Sequence, residues 1–158
     1  MFVRVKKIKG RPYAYLVENE WTPWGSRQRV SKYLGKTETL QRFSEGLIEL
    51  PTGLQTAILE ATAQELLNHG FVRDGHLLKQ EEITVNLQER TVRQKNKKVV
   101  LGMNEGYLCD HTLQQLLTFT PEEKHEENIK KLVNTVVEAG LKLSQEQLVH
   151  LFEQVKTK

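Results

Sequence analysis

The sequence predicts an α+β fold: a basic N-terminal three-stranded antiparallel sheet, central helices with a β-hairpin region, and a C-terminal helical hairpin. Three observations lead there. Residues 2–34 and 71–101 hold short, β-branched, alternating runs separated by turn residues. Residues 54–67 and 129–155 instead space their apolar side chains at helical intervals, with capping residues where runs begin and Gly70 and Gly140 where two of them end. The chain of 158 residues, 38% hydrophobic and 27% charged, suits one modest core and is too apolar for disorder.

The first strand is predicted over 2–8. Gly10-Arg11 is read as a two-residue turn with Gly at its first central position. A second strand covers 12–18, with Pro12 where a missing donor matters least. A third covers 27–34 and is closed by Gly35. In this register Val5 opposes Leu16 and Lys6 opposes Tyr15. Side chains alternate between faces, so one face collects Val3, Val5, Ala14, Leu16, Val30 and Leu34 as a core side. The outer face collects Arg4, Lys6, Ile8, Tyr13, Tyr15, Arg27, Arg29 and Tyr33. Residues 19–26, with Trp21, Pro23, Trp24 and Gly25, are expected to form a rigid loop whose tryptophans pin it to the core rather than wedge between bases.

Residues 37–69 read as two helices. The first runs over 38–49 and stops before Pro51. The second starts at a Thr52/Gln55 capping box, buries Leu54, Ala57, Ile58, Ala61, Leu66 and Leu67, and ends at Gly70. Strands follow over 71–73, 83–87, 91–93 and 99–101, with a turn at Asp74-Gly75 and a basic tip at 95–98. A short helix covers 109–118. Thr120 and Pro121 are predicted to cap and open the next helix, which buries Ile129, Leu132, Val133, Val136 and Val137. Ser144 with Gln147 opens the last, whose inner face is Leu148, Leu151, Phe152 and Val155. The chain divides into a basic module over 1–36 and a body over 37–158, or forms one continuous domain.

The residues for catalysis are missing. Cys109 is the single cysteine, so no internal disulfide or multi-cysteine metal site forms. Cys109 and His111 are near neighbours on a helix and point to different faces. His69, His76, His111, His125 and His150 lack the paired spacing of zinc ligands. Asp74 and Asp110 are the only aspartates, too few for a nuclease built on several carboxylates. Glu122-Glu123-Lys124 matches part of a nuclease signature but sits where a helix start favours acids. The Gly-containing run at 101–106 lacks the Lys-Ser/Thr of a phosphate-binding loop. The sequence therefore predicts a non-enzyme with no cofactor and no metal.

Charge is the strongest functional signal. Residues 1–36 carry nine basic and two acidic side chains, a net of +7, while the remaining 122 residues net −4. Such an end attracts polyanions. The candidate nucleic-acid-binding residues are Arg4, Lys6, Lys7, Lys9, Arg11, Tyr13, Tyr15, Arg27, Arg29, Lys32 and Tyr33. The cations would neutralise phosphates and the rings would stack unpaired bases. The competing explanation is an exposed sheet face held by Tyr–Arg cross-strand packing. A second basic tip over 93–98 extends the surface or is a solvated hairpin loop. The alternative partner is a protein, docked on the acidic helical half. No run of apolar residues is long enough to span a bilayer and the N-terminus lacks a signal-peptide core, which predicts a soluble, cytoplasmic chain with no membrane partner.

The segments Phe2-Val3-Arg4-Val5-Lys6-Lys7-Ile8-Lys9-Gly10, Tyr13-Ala14-Tyr15-Leu16-Val17-Glu18, Ser26-Arg27-Gln28-Arg29-Val30 and Lys32-Tyr33-Leu34-Gly35 resemble a small β module. It is similar to the start of some insertion-sequence transposases and of some archaeal multidomain proteins. The whole chain resembles a family of uncharacterised archaeal proteins, through residues 101–117, with Asn104-Glu105-Gly106-Tyr107-Leu108-Cys109, and Val137-Glu138-Ala139-Gly140. The acidic triad of a transposase is absent. The resemblance thus implies contact with RNA or DNA and not transposition, and the function expected of the chain is non-catalytic nucleic-acid binding, free or within a ribonucleoprotein such as the ribosome.

Overall fold

A computed structural model describes residues 1–123 and 125–156 of the chain. Lys124, and with it part of the nuclease-like Glu122-Glu123-Lys124, lies outside the described residues. The α+β expectation holds. Strands β1 (Phe2–Ile8), β2 (Arg11–Thr22) and β3 (Gly25–Thr39) pair antiparallel in sequence order. They precede α1 (Leu54–Asn68), the short strands β4 (Val72–Asp74), β5 (Leu77–Gln80), β6 (Ile83–Asn86) and β7 (Thr91–Gln94), then β8 (Lys97–Met103) and β9 (Gly106–Leu108). Helices α2 (Asp110–Leu117), α3 (His125–Glu138) and α4 (Gln145–Lys156) follow. No helix among the described residues is long and apolar enough to cross a membrane.

The meander is not a separate sheet. The end of β3 runs parallel to β8, pairing Lys36 to Thr39 with Val99 to Gly102, so that all nine strands join in the order β1-β2-β3-β8-β7-β6-β5-β4, with β9 on β8. Gly35 allows this junction. Its φ is +141°, and a Cβ there would stand 2.8 Å from the Lys98 carbonyl oxygen, closer than a side chain tolerates. The larger core packs α1 to α4 on β5 to β9 through residues such as Ile58, Leu66, Leu78, Leu101, Leu113, Leu132 and Leu151. A smaller one, Ala14, Leu16, Leu34, Val100 and Cys109, lies under the meander, with Val3, Val5 and Tyr107 packed against it.

Helix ends follow local rules. At the end of α1, Gly70 N–H bonds to Leu67 O and Phe71 N–H to Leu66 O; at the end of α3, Gly140 bonds to Val137 O and Leu141 to Val136 O. Each pair closes the last turn around a left-handed glycine. Ser144 and Gln147 form the expected reciprocal box at 3.1 Å in both directions. The Thr52/Gln55 box does not form, because α1 starts one residue later, on Gly53. Pro121 does not open α3; residues 121 and 122 are irregular, and the buried Asn128 side chain bonds both the N–H and the carbonyl of Glu122. Leu67 and Val137, expected inside, are exposed.

The helix expected over 38–49 is absent. Strand β3 takes its first two residues, and 40–51 is an irregular strap. Two polar side chains buried on α1 hold that strap. The Asn68 main-chain carbonyl also accepts from Phe43 and Ser44 N–H. The Asn68 amide bonds Ser44 Oγ and both backbone groups of Gly46. Glu65 accepts from Arg42 at 2.6 Å and from the Lys142 N–H at 2.5 Å. The Asn68 bonds satisfy the strap's backbone at residues 43, 44 and 46 in place of a helical ladder, and Glu65 ties its Arg42 side chain to α1.

Candidate nucleic-acid interface

The first turn is Lys9-Gly10, not Gly10-Arg11. Ile8 pairs with Arg11, Val5 with Ala14, Lys6 with Tyr13 and Arg4 with Tyr15. Both turn residues have positive φ, 52° and 79°, the geometry of a type I′ turn, which matches strand twist. Moving the turn by one residue moves the register by two, and an even shift preserves the faces. Arg4, Lys6, Ile8, Tyr13 and Tyr15 therefore remain together, and Arg11, expected in the turn, joins them as the first residue of β2.

Strand β3 departs from the expected pattern. Its pairing with β2 shifts at two bulges: Tyr15 faces Tyr33 and Leu16 faces Lys32, but Val17 faces Val30, leaving Ser31 extra. One extra residue flips every side chain beyond it. Arg27 and Arg29 thus leave the tyrosine face, and each meets an acid: Arg29 pairs with Glu18, and Arg27 with Glu20 at 3.6 Å. Val30, expected in the core, flips outward by the same step and is exposed. Lys32 lies on the core-side face.

What gathers on the tyrosine face is compact. The Tyr33 ring lies 5.3 Å from Tyr15 and 6.4 Å from Tyr13, tilted against both. Lys6 Nζ sits 5.7 Å from the centre of the Tyr15 ring. Arg4 bonds the Gln28 side chain across the sheet. Tyr13 and Tyr15 are half-buried, Tyr33 is 49% exposed, and the three rings with Ile8 line a shallow concavity of about 440 Å³. Partial burial first, then Tyr15 and Tyr13, push the Tyr33 phenol up, so it stays protonated and can donate.

Lys6, Lys7, Lys9, Arg11 and Lys32 have no carboxylate partner among the described residues. Lys36, opposite Tyr13, adds a cation that sequence reading omitted, shared with Glu38 at 3.3 Å. The second basic tip comes beside the meander, since Lys98 touches Gly35. Two of its cations are committed, Arg93 to Asp110 at 2.7 Å and Lys95 to Glu82 at 3.4 Å. The tryptophans are the larger surprise. Residues 19–26 are no loop but the far end of the β2–β3 hairpin, with Trp21 84% and Trp24 93% exposed. A signal for this existed. Glu18 and Glu20 stand as far before Pro23-Trp24 as Arg29 and Arg27 stand after it, a mirror placement that suits cross-strand ion pairs.

Cys109 is 1% exposed and caps α2 together with Thr112. Burial pushes its thiol up, beyond what bonds from Thr112 and His111 restore. His111 is lowered by burial, then by Lys32 and the N-terminal ammonium. We therefore expect Cys109 to ignore a thiol reagent in native protein at neutral pH and to react once urea unfolds it; fast native labelling would restore a cysteine–histidine pair as a candidate. Among the described residues, no three His, Cys, Asp or Glu side chains gather as a metal site. Comparison with protein-family models, curated proteins and solved structures finds no match to this chain.

Proposed function

We propose that this chain binds nucleic acid and performs no catalysis, as a free protein or as part of a ribonucleoprotein such as the ribosome. Arg4, Lys6 and Arg11 take phosphates, while Tyr13, Tyr15 and Tyr33 stack or position unpaired bases. The observation that carries this reading is the gathering of three tyrosine rings on one sheet face with cations that are not spent on carboxylates. The resemblance of residues 2–35 to the start of some insertion-sequence transposases agrees with it.

The test is binding of labelled RNA and DNA oligonucleotides across a salt series. Affinity falls steeply with salt if phosphates dominate. Arg4→Ala with Lys6→Ala flattens the logarithmic salt slope by about one to two units. Arg27→Ala with Arg29→Ala changes it less, because those charges face the other way and already meet Glu20 and Glu18. An unchanged slope and affinity in the Arg4/Lys6 variant removes the site.

One feature favours the adaptor reading instead. Between the strap and α4 lies a groove bordered by exposed Leu47 and Val149 and by Glu49, Glu146 and Glu153, which suits a basic, partly apolar protein segment. Under that reading a protein co-purifies and survives nuclease treatment.

A further inference from the structure

We infer that the tip of the β2–β3 hairpin, with Trp21 and Trp24, stacks unpaired bases and directs the protein to single-stranded nucleic acid rather than to uniform duplex. This rests on the reading that the tyrosine face holds nucleic acid, and extends that face to a second, distant contact.

The tip is built to stay exposed. Beyond the Phe2–Val17 pair, residues 18–29 pair only with each other among the described residues, as a two-stranded ribbon. Pairing persists to Thr22 and Gly25, and Thr22 Oγ1 donates to the Gly25 carbonyl at 2.6 Å. A free ribbon of two strands is marginal in water. Here one end is anchored in the wide sheet, and Glu18–Arg29 and Glu20–Arg27 clasp one face. The indoles stand clear of both core clusters. Two rings left almost wholly in water, at the rigid end of a projection, mark a contact surface.

Register and charge select the partner. Counting along β2, Arg11, Tyr13, Tyr15, Val17, Asn19 and Trp21 share one face, so Trp21 continues the line of the tyrosines. Six residues separate Tyr15 from Trp21, about 20 Å of strand. A strand with bases stacked at about 3.4 Å per step covers that distance in about six nucleotides. The cations without acids cluster at the base of the hairpin, and those near the tip are paired. The base thus supplies salt-sensitive phosphate contacts and the tip supplies stacking, which needs no net charge. Trp24 and Arg27 border one shallow concavity at the tip, where a base can lie against both an indole and a guanidinium. In a duplex the bases already stack on each other and have no free face to offer.

Trp21 and Trp24 are the only tryptophans in the chain, so intrinsic tryptophan emission reports on this tip alone. The probes are a fluorescein-labelled 12-nucleotide oligothymidylate, a blunt 12-base-pair duplex and vesicles containing anionic lipid. Anisotropy reads binding and tryptophan emission reads the tip. The single strand quenches the emission as it binds, and the duplex binds without quenching. Trp21→Ala with Trp24→Ala weakens single-strand binding about 25-fold or more, given roughly fivefold or more per lost stack. Trp21→Tyr with Trp24→Tyr recovers most of it, which shows that the Ala variant failed through lost rings rather than lost fold. Salt-sensitive anisotropy with unmoved emission, and a double Ala variant within twofold of wild type, overturns the inference and leaves the tyrosine-face reading standing. No anisotropy change with either nucleic acid sinks that reading and this one with it. An emission shift with vesicles and none with the oligonucleotide assigns the tip to a lipid surface and overturns the inference.

Discussion

Replacing Glu65 with alanine should lower the stability of this protein by about 3–5 kcal/mol, the cost of breaking a largely enclosed ion pair from one side. Glu65 is 2% exposed and lies where three parts of the chain meet. From the strap it receives Arg42 at 2.6 Å, from the α3–α4 connection the Lys142 N–H at 2.5 Å, and from its own helix the His69 ring at 3.3 Å. Alanine removes the carboxylate that Arg42 and the Lys142 N–H share, while the His69 ring keeps its 2.9 Å bond to the main-chain carbonyl of residue 65. Arg42, itself largely enclosed, is left with the more exposed Glu45. Urea denaturation reads the loss, and a change below about 1 kcal/mol would mean that the strap is held by Asn68 alone.

The same carboxylate gives a pH signature. Burial by itself raises its pKa, but hydrogen bonds from His69 and the Lys142 backbone and the charge of Arg42 more than offset this, holding it below the ordinary glutamate value of 4.5. Its proton is therefore bound less readily in the folded state than in the unfolded state. The stabilisation is complete above about pH 4.5 and is lost as pH falls through the lower folded value. Glu65→Gln, less stable than wild type at pH 7, should show a flatter decline between pH 5 and 3 and approach wild type at the acid end. Parallel profiles would mean that Glu65 carries no such charge.

The second large effect is functional. Tyr15→Ala with Tyr33→Ala should weaken binding of an unpaired oligonucleotide by about 30-fold or more, since each base–aromatic stack contributes roughly 1–3 kcal/mol. The two rings lie 5.3 Å apart and support each other, so they are removed together. Tyr15→Phe with Tyr33→Phe keeps the stacking surface and loses the two hydroxyls, and should stay within about threefold of wild type. Should the Ala variant lose thermal stability but bind as before, the rings are cross-strand packing and the cations alone hold the ligand.

The tyrosine–cation face was partly legible in the chain. Arg4, Lys6, Tyr13 and Tyr15 lie on two strands joined by a two-residue turn, and a turn misplaced by one residue still leaves alternation intact. Arg27 and Arg29 were misassigned by one extra residue, Ser31, that the chain does not announce. The bulge occurs where β3 prepares to leave β2 and join β8, a strand that begins some sixty residues later. The tryptophans depart from the expected core-pinned loop for a related reason. Indoles near Pro and Gly usually pin a loop to a core, and the sequence alone did not reveal that no core lies beneath this one.

Alternation along β1 and β2, the glycine closures at Gly70 and Gly140, and the Ser144/Gln147 box were determined by the sequence alone, because each depends on residues within a turn or two of one another. The parallel seam between β3 and β8, the flip at Ser31, the strap over 40–51 and the projecting tryptophan tip were decided only by tertiary structure. In each of these a local preference competes with hydrogen bonds or packing to distant residues such as Asn68, Glu65 and Lys98. Those partners exist only after the chain has closed long loops, so short-range spacing carries no trace of them.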